Sequence, residues 1–421
     1  MNRFNVNYSS KFDFFRVLFN AAQPAALAFF CLPLVFLSFD VQNIARPAFF
    51  YPGFKYIESY AERDAALEQK ARKIAVSLGA GELCGQVIMT GVDAAGAVSN
   101  EEAARILRIK PGAIMLFRKN LNISEDSIIK MNASLAVCAA LKTEDGLLYP
   151  FIACDQEGGA VMRVKSAGAS LPEPAYYNRL RAGSGEEAAL KAIRRDALAS
   201  AACLLRLGLS LNMAPVAEPL TAENQRFLGG RSYGGDSNWT AKAALEFMRG
   251  MEEGGIACVV KHFPGNTGVD PHRARPVLRW SGVELDALCE PFRAAASSGL
   301  PAGIMVSHSI AAAWDSERAA SVSPFVIQKK IKEEMNFFGF VLADDFSMGA
   351  MGGTLAPDAA IASLAAGADM IMAWPVNLAA TYNAINAAFN RGVLKRERLE
   401  DAAARIIYMR LRSQALRGAS V

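Results

Sequence analysis

Imidazole is scarce in this chain. Its 421 residues include three histidines, His262, His272 and His308, and each follows or closely trails a short apolar, β-branched run. So few histidines, so spaced, exclude a persuasive zinc site, and no Ser-His-Asp arrangement is evident. Cysteine supplies no framework either. The seven residues, Cys31, Cys84, Cys138, Cys154, Cys203, Cys258 and Cys289, are odd in number and form no CxxC pair. That excludes a disulfide scaffold and points to buried free thiols. Excess charge is also small, with a net charge of +4 spread along the chain. Neither nucleic acid nor an acidic polymer is implied as a partner. No long Gly/Pro/Ser linker, low-complexity tract or GxxxxGK[ST] loop occurs. Those absences argue against several domains and against a P-loop nucleotide site.

One long apolar run is present. Pro24 to Phe39 follows Lys11 and Arg16, a basic flank before a hydrophobic core, as in an export signal. Its 16 residues are marginal for a spanning helix, and Pro33 interrupts them. The expectation is a signal or membrane-anchor segment over 1–45, a spacer over 46–60 and a single domain over 61–421. An exported, periplasmic or membrane-anchored protein follows from this. A cytoplasmic one is the alternative if the run is a buried helix.

Beyond residue 60 short apolar runs alternate with helical patterns. Strands are expected at Leu83–Thr90, Ala113–Phe117, Tyr149–Cys154, Leu209–Ala214, Ala257–Val260, Gly303–Ser307, Phe338–Ala343 and Met370–Ala373. Helices are expected between them, among them Glu186–Leu207, Gly282–Ala296 and Pro324–Met335, with Arg396–Arg412 closing the chain. Near-continuous apolar strands separated by helices suggest parallel strands buried on both faces. Eight such units are the pattern of an α/β TIM (β/α)8 barrel, with a doubly wound open sheet as runner-up. Hydrophobic residues at 52% suffice for its core. Asp155, Asn212, Lys261, His262, His308 and Asp344 fall at or just past strand C-termini, the rim on which this fold builds its active sites.

Three groups there can do chemistry. In Asp344-Asp345, neighbouring side chains point opposite ways, so one carboxylate should face the barrel axis, where it can attack an electrophilic carbon. Asp345 suits a capping role better. In Asp270-Pro271-His272 the spacing of two lets the carboxylate orient an imidazole able to act as acid and then base. A surface-loop pair is the bland alternative. Asp155-Gln156-Glu157-Gly158-Gly159, with Arg163 beyond, offers a carboxylate to sugar hydroxyls and glycines for close backbone approach. Arg231 and Lys261-His262 add cationic donors, with structural ion pairs as the alternative.

These motifs, in this order, resemble the β-N-acetylhexosaminidases of glycoside hydrolase family 3. The likeness runs over most of 80–412 and includes Leu116-Phe117-Arg118-Lys119-Asn120, Asn212-Met213-Ala214-Pro215-Val216, Arg231-Ser232-Tyr233-Gly234, Lys261-His262-Phe263-Pro264-Gly265 and Ala366-Gly367-Ala368-Asp369-Met370. The resemblance implies a retaining, two-step exo-β-N-acetylglucosaminidase acting on peptidoglycan or chitin fragments. In it Asp344 is the nucleophile, and His272 with Asp270 is the acid/base dyad on a loop. Asp155, Arg163, Arg231, Lys261 and His262 hold the sugar. The implied partner is a small carbohydrate; no cofactor, metal or nucleic acid is expected, and the protein is expected to be a monomer, with membrane attachment through its N-terminal segment. Phosphorolysis with the same residues, or an inactive sugar-binding barrel, are the alternatives. The chain departs from the family pattern in places. The family's second histidine after Lys-His-Phe-Pro-Gly is replaced by Asn266, and the loop before His272 is about two residues shorter. Pro271 stands for the dyad's serine, Ala160 for an arginine, and Glu218 for an aspartate.

Overall fold

The computed structural model describes residues 55–419, apart from 167, 271–273 and 348–355. The expected signal segment, and His272 itself, lie outside the described residues. Eight parallel strands carry the architecture: β1 (Ile88–Gly91), β2 (Ala113–Met115), β3 (Phe151–Cys154), β4 (Leu211–Asn212), β5 (Ala257–Phe263), β6 (Gly303–Val306), β7 (Phe340–Ala343) and β8 (Ile371–Ala373). Each pairs with its sequence neighbour, and β1 also pairs with β8 through Ile88 and Ile371. A parallel bridge between Leu342 and Met370 joins β7 to β8 and closes the ring. The TIM barrel expected from the alternation is therefore the fold. Among the described residues no helix is long and apolar enough to cross a membrane.

Strand periodicity decides what faces the axis. Met89, Ala113, Met115, Phe151, Ala153, Leu211, Val259, Met305, Phe340, Leu342 and Met372 belong to one buried cluster, and the Phe151 and Phe340 rings lie 6.1 Å apart. The alternate residues Ile114, Ile152, Cys154, Val260, Ile304 and Val341 belong to a second cluster, with the helices Glu186–Arg206 and Ser237–Glu253. Continuing the inward phase past the strand ends selects Asp155 after Phe151 and Ala153. Within β5 the same phase points Lys261 inward after Val259, and past β7 it selects Asp344 after Phe340 and Leu342. Three charged groups are thus aimed at one mouth by period alone.

Two expected elements differ. The first expected strand begins at Ile88, because Ala80–Gln86 is a helix, at whose start the Glu82 carboxylate accepts the Gly79 N–H at 3.4 Å. A short apolar run is ambiguous between helix and strand; in the helix Gly85 packs against the Ile109 carbonyl, which a Cβ there would collide with. The expected helix Gly282–Ala296 is two, Gly282–Leu288 and Glu290–Ser298, because Pro291 stands in the first turn of the second.

Candidate active site

The C-terminal mouth of the barrel holds a cavity of about 440 Å³. Asp155, Arg163, Arg231, Lys261, His262 and Asp344 all line it, joined by Glu157, Asn266, Met305, Met372 and Trp374. A volume of this size suits a single sugar ring and its substituents.

One side is a chain of alternating charge. Arg163 Nη2 lies 3.4 Å from Asp155 Oδ2, and Lys261 Nζ lies 2.7 Å from Asp155 Oδ1 and 2.7 Å from Glu157 Oε1. Arg231 completes it with a two-pronged contact, Nε to Glu157 Oε2 at 2.8 Å and Nη2 to Oε1 at 2.9 Å. Burial alone pushes the Glu157 carboxyl up, but Lys261 and Arg231 outweigh it and hold the group at about 2. Burial likewise pulls the Lys261 ammonium down, yet Asp155 and Glu157 keep it above the usual lysine range. Both groups are therefore charged at neutral pH. Each Asp155 oxygen has a second lone pair, so adjacent hydroxyls can still be accepted there. The Arg163 Nε is buried and, among the described residues, has no hydrogen-bond partner.

Neutral amides frame these ions. Gln156 donates through its backbone N–H to Asn212 Oδ1 at 2.9 Å, and Asn212 Nδ2 donates to Gln156 O at 3.0 Å. The Gln156 side chain accepts from the Arg163 and Val164 N–H groups at 2.9 and 3.1 Å, and donates to Val164 O and Ala169 O. That lattice folds Gln156–Gly158 against Val161–Met162 and turns Glu157 and Arg163 into the cavity.

Asp344 sits opposite, half-buried at the end of β7. Its Oδ1 accepts the Asp345 N–H at 2.9 Å, while Oδ2 has no partner among the described residues. Asp345 accepts from the backbone N–H and hydroxyl of Ser347, closing a turn, and it too lines the cavity; the next described helix begins only at Ala356. His308 is a buried structural imidazole. It contacts Ser321 Oγ through Nδ1 at 2.7 Å, donates through Nε2 to the Asp345 carbonyl at 2.9 Å, and stacks on Phe346. It thus braces the turn that presents Asp344.

His262 reaches the cavity beside Lys261 because the β5–β6 pairing shifts register between Val260 and Phe263. The bulge turns successive side chains toward the same opening. Its Nδ1 contacts buried Glu218 Oε1 at 2.5 Å. Asp270 is half-buried, and its carbonyl accepts the Ala274 N–H at 3.1 Å. Its expected partner His272 is among the residues not described, so the dyad's geometry is not part of this structure.

Sequence reasoning missed Glu157 and Glu218 as site members. Glu157 sat inside a quoted motif, two residues from Asp155, but only the hairpin fold-back shows that it bridges two cations. Trp374 was also missed, although it continues the phase of Met372 past β8.

The family model for the glycosyl hydrolase family 3 N terminal domain matches residues 80–409. The chain is 32% identical over 291 residues to a beta-hexosaminidase of Thioalkalivibrio sulfidiphilus, covering 67% of this chain and 79% of that protein. Among solved structures it is similar to a glycoside hydrolase family 3 beta-N-acetylglucosaminidase from Paenibacillus sp., with a TM-score of 0.72 and 28% identity over 82% of this chain. This chain spans 64% of the length of that Paenibacillus protein. NagZ of Neisseria gonorrhoeae is matched with a TM-score of 0.64 and 25% identity over 80% of this chain and 96% of that one. Motif order, barrel and family match agree: the chain belongs to glycosyl hydrolase family 3 and is a glycoside hydrolase.

Proposed function

We propose that the protein is a retaining exo-β-N-acetylglucosaminidase that removes terminal β-linked N-acetylglucosamine from peptidoglycan or chitin fragments. The observation that carries this reading is the Asp344 carboxylate, with one oxygen unpartnered among the described residues, lining a sugar-sized cavity shared with a fixed chain of cations and anions. Asp155, Arg163, Arg231, Lys261 and His262 are proposed to grip ring hydroxyls. The apolar side of the cavity, with Met372 and Trp374, suits the methyl of an acetamido group. In the first step the Asp344 carboxylate bonds to the anomeric carbon as the bond to the leaving oxygen breaks, and His272, oriented by Asp270, gives that oxygen its proton. In the second, His272 takes a proton from water, and the water oxygen displaces the carboxylate. The relatives' names, beta-hexosaminidase and beta-N-acetylglucosaminidase, support the same sugar.

The test is turnover of aryl β-glucoside, N-acetyl-β-glucosaminide and N-acetyl-β-galactosaminide side by side, with Asp344→Asn in parallel. The N-acetylglucosaminide should be cleaved fastest. Asp344→Asn should lose about a thousandfold or more in kcat while keeping its melting profile. Ordinary turnover by Asp344→Asn, or preference for the glucoside, would refute the proposal.

A further inference from the structure

Glu218 stands outside the residues proposed above to bind sugar or move protons, yet it is 1% exposed and both its oxygens are engaged. Beyond β4 the chain stays extended beside β5, with Val216 bridged to Lys261 and the Ala217 N–H donating to Lys261 O at 2.7 Å. That pairing brings Glu218 beside His262. Its Oε1 contacts His262 Nδ1 at 2.5 Å and accepts from Asn266 Nδ2 at 3.1 Å. Its Oε2 accepts the Asn266 backbone N–H at 2.6 Å. The Glu218 carbonyl accepts Ser232 Oγ at 2.7 Å, next to Arg231. One residue therefore touches the segment of Arg231, the imidazole on the cavity, and the first residue of the loop that carries Asp270 and His272.

We infer that Glu218 is a positioning residue that fixes the His262 imidazole and the base of the 266–272 loop in one geometry. A carboxylate can only accept, so the contact keeps an N–H on Nδ1. Nε2 is the ring nitrogen left for the ligand. The loop base is pinned from its other side by Ser307 Oγ and Ser309 Oγ, which donate to Gly265 O at 3.0 and 2.8 Å. Glu218 is the matching anchor from β4. Two departures from the family pattern, Glu218 for aspartate and Asn266 for histidine, turn out to be one contact.

The inference rests on the proposed function in taking the reaction to be glycoside cleavage assisted by this loop. Its test is Glu218→Gln and Glu218→Asp, assayed on N-acetyl-β-glucosaminides with a good leaving group (4-nitrophenol) and a poor one (methanol). An amide cannot accept from both His262 and the Asn266 backbone with its two ends. Glu218→Gln should lose about tenfold in kcat/KM on the good leaving group, mostly in KM, and about a hundredfold on the poor one, with the excess in kcat. Glu218→Asp, which keeps the charge at shorter reach, should recover part of both losses, with melting profiles confirming folded protein. Wild-type kinetics in Glu218→Gln, or equal losses on the two leaving groups, would overturn the inference. If Glu218→Gln fails to fold, Glu218→Asp alone is held to the same unequal losses. If the wild-type protein cleaves neither substrate, the proposed function fails on its own. Calorimetry with N-acetylglucosamine then decides this inference: about tenfold weaker binding to Glu218→Gln supports it, and unchanged affinity overturns it.

Discussion

The two sides of the cavity are built on different principles. Around β3 to β5 the lining is Asp155, Glu157, Arg163, Arg231, Lys261 and His262. Around β8, β1 and β2 it is Met372, Trp374, Gly91, Val92, Met115 and Phe117, with Lys119 added to that side. The apolar side is held by shape. Phe117 and Trp374 meet edge to face at 5.1 Å, and Gly91 lets the indole lie close, since a Cβ there would sit 3.0 Å from it. The charged side is held by partners, each interior ion of the chain having an opposite on both sides. Shape tolerates exchange for a group of similar volume, whereas a buried ion chain does not tolerate the loss of a member.

A volume-conserving swap on each side breaks or sharpens this contrast. The largest effect is expected from Lys261→Met, which strips Asp155 and Glu157 of their shared ammonium. Leaving buried carboxylates short of a partner should cost about 3–5 kcal/mol in a urea titration. Activity on the aryl N-acetyl-β-glucosaminide should fall by about a hundredfold to a thousandfold. Glu157→Gln comes next and reads the same side through pH. Burial raises the native carboxyl, but the two cations outweigh it and hold it at about 2; in the unfolded chain it titrates near about 4.3. Its contribution is therefore fully present above that unfolded value and is lost as the pH falls toward the native one. Wild-type stability should decline across this acid window. Glu157→Gln should be less stable at neutral pH and show a flatter decline, and parallel profiles would mean that Glu157 is no ionic partner. The smallest effect belongs to Met372→Leu on the apolar side. It should change stability by less than about 1.5 kcal/mol and KM by less than about tenfold. A loss larger than that of Lys261→Met would reverse the comparison.

Strand phase explains what the sequence made legible. Asp155, Lys261 and Asp344 each stand two residues beyond an inward apolar side chain, so eight short apolar runs were enough to aim them at one cavity. His262 breaks that period, and its place depends on a bulge that no local pattern announces. Glu157 belongs to a hairpin whose fold-back depends on Gln156 bonding to residues up to Ala169 and to Asn212 on the next strand. Such long-range amide contacts leave no periodic trace. Leu83–Gln86 misled because an apolar run of that length serves a helix as well as a strand. His308, which shares its strand-end setting with the candidate catalytic residues, turned out to brace a turn.

The Gln156–Asn212 lattice has a consequence of its own. Amides neither gain nor lose protons across the working range of an enzyme. Acid therefore weakens the ions seated in the lattice while leaving their mounting in place. On return to neutral pH Glu157 and Arg163 are expected to regain those seats without refolding of the barrel mouth.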